Sequence, residues 1–247
     1  MTATRRIADL LILAAAFLAF WYGLNAVVGS TALPGPGPTL SYLANFVGTT
    51  RFLESLVSTL TSFAYALLLA YAIGLSLGVW LGAHHLSGAV GEPILVAIYS
   101  MPKITLYPVV LLIFGLGISG KVAFGALHGI LPVALLSMNA IRNVPPVYLK
   151  AARTMNLSRW QVIATVLFPA TLPEIVSGLR IGLTTTLLGV VLGEMFASKR
   201  GLGFLMINAI STVQPEEMLT VAIVLFTFAA SANGLLLWME HRLHHRV

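Results

Sequence analysis

The residues of this chain that could do chemistry are few, and they lie inside or beside apolar runs. The stretch GLGISGK, Gly115 to Lys121, satisfies both G-x-G-x-x-G and G-x-x-x-x-G-K. A phosphate-binding loop needs Ser or Thr after its Lys, where this chain has Val122, and both motifs need a preceding strand within a βαβ unit. The stretch therefore reads as a glycine hairpin between helices. His84, His85 and Glu92 mark a short inner loop, but two adjacent histidines cannot both face one metal from a regular helix, and no third ligand is near. No His, Asp and Ser set is placed for hydrolysis. Cysteine is absent, so disulfides and thiolate sites are excluded. What remains is a set of ionisable residues within apolar segments: Lys103, His128, Glu174, Arg180 and Glu194. Burying an isolated charge there is expensive, which gives such residues a functional presumption. Lys103 is either an inner-boundary anchor or part of a permeation path. His128 is either a buried, hydrogen-bonded imidazole or a pore-lining group, and Glu194 either an acid at the outer interface or a solute contact.

The elements that must position these residues are membrane spans. The chain of 247 residues is 58% hydrophobic and 9% charged, with a mean hydropathy of +0.93, far from soluble globular composition. Its formal charge of +6 comes from residues flanking apolar runs, and no basic block interleaved with aromatics points to nucleic acid. Arg5 and Arg6 precede Leu10 to Val28, a run of about the twenty residues that a span needs. A signal peptide is the competing reading, but its apolar region runs only about 7 to 15 residues. Leu33 to Thr39, LPGPGPT, reads as an extended external loop, and Tyr42 to Glu54 as an amphipathic surface piece. Thr59 to Ala83 is the second span, with Gly74, Gly78 and Gly82 baring one face for another helix. The third, Pro93 to Leu116, is broken by Pro102 and Pro108. The fourth is Val122 to Ile141, with Gly125 and Gly129. The fifth, Pro173 to Glu194, has glycine pairs at 178 and 182 and at 189 and 193, and is expected to be the most enclosed. Ala197 to Gln214 makes an outer turn and surface helix, and the sixth span covers Met218 to Met239.

One stretch departs from this apolar pattern, Asn143 to Pro173. Pro145 and Pro146 suit a helix start, and Asn156 suits the left-handed residue that ends a helix. Ser158 and Gln161 form S-x-x-Q, a capping box, with Leu157 and Val162 at the staple positions. Pro169 and Pro173 are expected to interrupt the second helix. The result is a bent helical pair outside the lipid. Basic residues place it: Arg5, Arg6, Arg142, Lys150, Arg153, Arg159, Arg242 and Arg246 fall on one side, against Arg51, Lys121, Lys199 and Arg200 on the other. The bias toward the first side makes it cytoplasmic, and six spans put both termini there.

The sequence KAARTMNLSRWQVIATVLFPATLP resembles the EAA loop of ABC importer permeases. Ala151, Ala152, Arg153, Asn156, Leu157, Ser158, Trp160, Pro169, Leu172 and Pro173 fall on its pattern, with Lys150 where the family has Glu and Asn156 where it has Gly. The likeness runs from about Thr59 to Val224, through GLRIGL, GVVLGEM and GLGFLM, and is closest to the nitrate, sulfonate and taurine branch. It implies an all-α integral membrane protein of type I importer architecture, with six spans and a cytoplasmic coupling helix. Its parts are an N-terminal helix and external loop over 1–58, a permease core over 59–240 containing the loop at 143–173, and a tail at 241–247. By the same resemblance, Lys150, Ala151, Ala152, Arg153, Asn156, Leu157, Ser158, Arg159 and Trp160 dock on an ATPase dimer. That dimer uses ATP and Mg; this chain carries no ATPase site and is not an enzyme by itself. A second permease subunit and an extracytoplasmic solute-binding protein complete the assembly in a bacterial or archaeal cytoplasmic membrane. The solute is small and anionic, of the sulfonate, nitrate or taurine class. Trp160 is expected to anchor the loop against the bundle, and Lys103, His128 and Glu194 to line the path. A secondary transporter is the runner-up, but it predicts inverted repeats, and none is evident; a membrane assembly protein is the third class.

Overall fold

The computed structural model of the chain describes residues 3–244, and these are helical, with no strand among them. Eleven α-helices follow one another: α1 Ala3–Val28, α2 Pro36–Phe46, α3 Thr50–Ala83, α4 His85–Ser100, α5 Tyr107–Phe114, α6 Ile118–Arg142, α7 Pro146–Thr154, α8 Arg159–Val162, α9 Phe168–Ala197, α10 Leu202–Ser211 and α11 Pro215–His244. Among the described residues five helical stretches are long and apolar enough to cross a membrane, and the bent pair of α4 and α5 makes a sixth.

The core is α3, α6 and α9, zipped by small residues. A Cβ on Gly78 would lie 2.5 Å from the Ala134 carbonyl oxygen, and one on Gly74 2.8 Å from Val133. One on Gly125 would lie 2.5 Å from Val190, while Gly182 is pressed against Val133. Without side chains at these places the backbones approach closely enough for dispersion to hold them, the main attraction between helices in lipid. α6 therefore touches α3 on one side and α9 on the other. This corrects the expectation that the fifth span is the most enclosed: 67% of the spanning window of α6 is buried, against 44% for that of the fifth. No residue in the spanning window of α1 is buried, and the helix is tied near its C-terminal end, where Trp21 Nε1 donates to Pro34 O at 2.9 Å and Asn25 Nδ2 to Leu33 O at 2.6 Å.

Several boundaries differ from the sequence reading for local reasons. Leu33 to Thr39 is not extended throughout, because Pro36 opens α2 behind an extended Gly35 cap. Pro36 and Pro38 fall in the first turn, where a missing N–H costs no helix bond. The amphipathic piece is split: α2 ends at Phe46, and Glu54 already belongs to α3. There is no inner loop from His84 to Glu92, since α4 starts at His85. The third span breaks at Met101 and Pro102 with a bend of 87°; Pro108 sits in the first turn of α5 and starts it rather than breaking it. The glycine hairpin is confined to Gly115 and Gly117, both at positive φ, and α6 begins at Ile118.

Ion pairs mark the two ends of the bundle. At one end Arg51 meets Glu217 at 2.9 Å, Lys121 meets Glu194 at 3.3 Å and Arg200 meets Glu54 at 3.7 Å. At the other, beside the polar elbow, Arg142 meets Glu92. α11 runs on to His244, and 245–247, with Arg246, lie outside the described residues.

Candidate functional site

The elbow between α6 and α9 is built from two interlocking caps. At the end of α7 the Asn156 N–H donates to Arg153 O at 3.0 Å and the Leu157 N–H to Ala152 O at 3.1 Å. Asn156 has φ 51°. These two bonds around a left-handed residue make a Schellman motif, which satisfies carbonyls that the helix end would leave open. Two residues on, the Ser158 N–H donates to Gln161 Oε1 at 2.8 Å and the Gln161 N–H to Ser158 Oγ at 3.4 Å, the reciprocal capping box. The chain thus reverses within Met155 to Ser158 with its backbone groups engaged.

The second helix does not stop at Pro169 or Pro173. α8 passes through a π turn, Ile163–Leu167, directly into α9. Pro169 has no N–H for the Thr165 carbonyl, and the turn widens so that the Phe168 N–H reaches Ile163 O. Pro173 is then carried inside α9. From Trp160 to Ala197 the helical stretch covers 38 residues, so α8 and the fifth span are one continuous helix.

The elbow residues divide between two faces. Lys150, Ala151, Arg153 and Ser158 are exposed, and Leu157 is half-buried. Ala152 is 3% exposed and lines a recess of about 500 Å³ with Asn143, Tyr148, Leu157, Thr165 and Glu174. Its small size serves the packing of α7 on its own chain. Trp160 is 80% exposed, which corrects the expectation that it anchors the elbow against the bundle. Met155 and Val147 are exposed as well. Arg159 opens α8; its side chain lies outside the described part of the structure.

The three path candidates lie apart from this surface and differ among themselves. Glu194 is fully enclosed; Oε1 faces Lys121, and Oε2 accepts from Thr59 Oγ1 at 2.8 Å and the Gly203 N–H at 3.0 Å. Lys121 is itself buried and also donates to Ser58 Oγ and Arg200 O. Lys121 and Thr59 were not linked to Glu194 from sequence, because nothing local pairs residues on α3, α6 and α9. His128 is buried against Gly189, and its Nδ1 donates to Phe124 O at 2.9 Å; a carbonyl only accepts, so that nitrogen carries the proton. Lys103, half-buried, occupies a 3₁₀ turn, Lys103–Leu106, between α4 and α5.

The comparisons with known proteins agree with this architecture. The family described as "Binding-protein-dependent transport system inner membrane component" matches residues 70–247. A probable ABC transporter permease protein of Haemophilus influenzae is 33% identical over 184 residues, 74% of this chain and 75% of that protein. The taurine transport system permease protein TauC of Escherichia coli is 29% identical over 232 residues, 90% of this chain and 84% of that one. An inward-facing structure of the MetNI methionine ABC transporter superposes with a TM-score of 0.68 at 21% identity, over 78% of this chain and 96% of that chain, which shows the shared fold. With a matched family over most of its length, six apolar spans and the elbow between the fourth and fifth, the chain belongs to the binding-protein-dependent inner membrane components, as the permease subunit of an ABC importer.

Proposed function

We propose that the elbow at 143–173 is the surface on which a separate ATPase dimer pushes, and that the cargo is a small solute bearing a sulfonate or nitrate-like group. The observation that carries the docking role is the doubly capped turn at Met155 to Ser158, which holds cationic and apolar side chains outward. Lys150 and Arg153 supply charge, while Met155 and Trp160 supply apolar area, the combination from which interface anchors are drawn. Ala151, Asn156, Leu157, Ser158 and Arg159 complete the docking segment, and Ala152 holds it to its own chain. The partner subunits bind ATP and Mg, and their closure moves two elbows together, tipping two permease cores between inward-open and outward-open states.

The solute class rests on the extent of the likeness to the taurine permease. An extracytoplasmic binding protein delivers the solute and supplies most of the selectivity. The moving core begins at Thr50 rather than at residue 59, because α3 is one helix; α1 and α2 are accessory, and both termini lie in the cytoplasm. The absence of cysteine makes the test clean. A single Arg153→Cys label is expected to be reached only from the cytoplasmic side and to be shielded once the ATPase subunits bind. A label reached from outside the cell, or one that stays open in the assembled complex, ends the docking proposal.

A further inference from the structure

We propose that the ammonium of Lys103, at the break in the third span, is the group that takes the negative end of the solute during passage. This rests on the permease reading and adds to it a contact and a charge for the cargo.

The argument begins with depth. His128 lies ten residues past Ile118, about 15 Å along α6 at 1.5 Å per residue, which is the middle of a hydrocarbon core of about 30 Å. Tyr107, four residues past Lys103, packs its ring 4.8 Å from that of Phe124, which in turn meets His128 at 4.5 Å, so the ammonium sits at comparable depth. The span is unwound there: α4 ends at Ser100, the chain turns by 87°, and one 3₁₀ turn leads into α5. Irregular backbone at this depth is tolerated where it lines a cavity or packs on protein rather than facing lipid.

The second step is charge. Lys103 Nζ donates to the Tyr99 carbonyl at 2.9 Å and lies 4.5 Å from the Tyr99 ring centroid. Among the described residues that carbonyl is its one hydrogen-bond acceptor, which leaves two of its three N–H groups open. Among the described residues no carboxylate comes within 4.0 Å of it, whereas Arg51, Lys121, Arg142 and Arg200 each have one. Lys121 is saturated by Ser58, Glu194 and Arg200 O. His128 offers no counter-charge either, since an imidazole is neutral or cationic.

An unbalanced ammonium at mid-depth is expensive unless water or an anion meets it. Two free N–H groups match two oxygens of a sulfonate or nitrate group through charge-assisted bonds. A single cation without an enclosing cage also lets go, as a translocation contact must.

The test uses the full importer, permease with its ATPase and binding protein, in proteoliposomes offered taurine, methanesulfonate, nitrate or choline. Wild type is expected to import at least one of the three oxyanions. K103M is expected to lower that uptake about tenfold or more while still retaining the ATPase subunit, and K103R to stay within about threefold of wild type. The inference is overturned if K103M transports as wild type does, or if K103M sheds the ATPase subunit, which would make Lys103 structural. Import of choline, or of none of the oxyanions, overturns it as well. The permease reading falls separately, only if no ATPase subunit co-purifies with the wild-type chain.

Discussion

Lys121 Nζ stands 3.3 Å from Glu194 Oε1 across 73 residues of sequence, with the two side chains 5% and 0% exposed. The pair joins α6 to α9, and Glu194 carries the connection on to α3 through Thr59 and to α10 through the Gly203 N–H. Thr59 Oγ1 in turn accepts the Leu202 N–H at 2.8 Å. Removing one partner leaves the other charged and enclosed, which costs on the order of 3–5 kcal/mol. Lys121→Met and Glu194→Gln are each expected to lower the melting temperature of the solubilised chain, and the double variant to recover part of the loss. Single variants that melt with wild type would show that the pair does not hold this end together.

The elbow separates residues that shape it from residues that present it. Asn156→Gly removes the strain of a left-handed side chain and should leave the turn intact, whereas Asn156→Ile should cost about 1–2 kcal/mol locally. Ala152→Leu should lower hydrogen-exchange protection at the Leu157 amide, which bonds to the Ala152 carbonyl. Trp160→Ala should leave melting unchanged yet weaken capture of the ATPase subunits by about 2 kcal/mol if this exposed ring is an anchor. Equal capture by wild type and Trp160→Ala would remove the ring from the interface.

Val213 holds φ 54° between α10 and α11 and is 79% exposed. The turn repeats the elbow's cap, with the Val213 N–H on Ile210 O and the Gln214 N–H on Ala209 O. A β-branched residue is a poor occupant of this region, so Val213→Gly should raise stability by up to about 1 kcal/mol. A lower melting temperature for that variant would mean that the valine is held by contacts worth more than the strain.

Tyr42 anchors α2 to α11, its hydroxyl donating to Glu217 Oε2 at 3.2 Å. Burial first, and then the Glu217 carboxylate, raise its phenol above the ordinary 10.0. A raised value means that the folded form holds the proton more tightly. The stabilisation is complete below the ordinary phenol value and is lost as pH climbs through the higher folded one. Alkaline melts over roughly pH 9 to 12 should show this loss in wild type and less of it in Tyr42→Phe; identical pH profiles would remove Tyr42 as the cause.

What could be read from sequence was what a few adjacent residues encode. Asn156, Ser158 and Gln161 announced the elbow because a cap is complete within one turn of chain, and Gly74, Gly78 and Gly82 announced a close-packed face. Composition and the spacing of apolar runs sufficed for six spans and an all-α fold. Pro36 and Pro38 misled because proline forbids a helix interior but suits its first turn. Pro173 misled because a spanning helix tolerates a lost bond that neighbouring groups can offset. The partners of Glu194 were hidden because Thr59, Lys121 and Gly203 meet only when three spans pack.

The unbroken run from Trp160 to Ala197 has a mechanical consequence. Without a break between α8 and the fifth span, that run is one lever about 57 Å long at 1.5 Å per residue. A displacement at its elbow end is carried along one helix to the carboxylate clasp near its other end. The two ends of this span are therefore geared together.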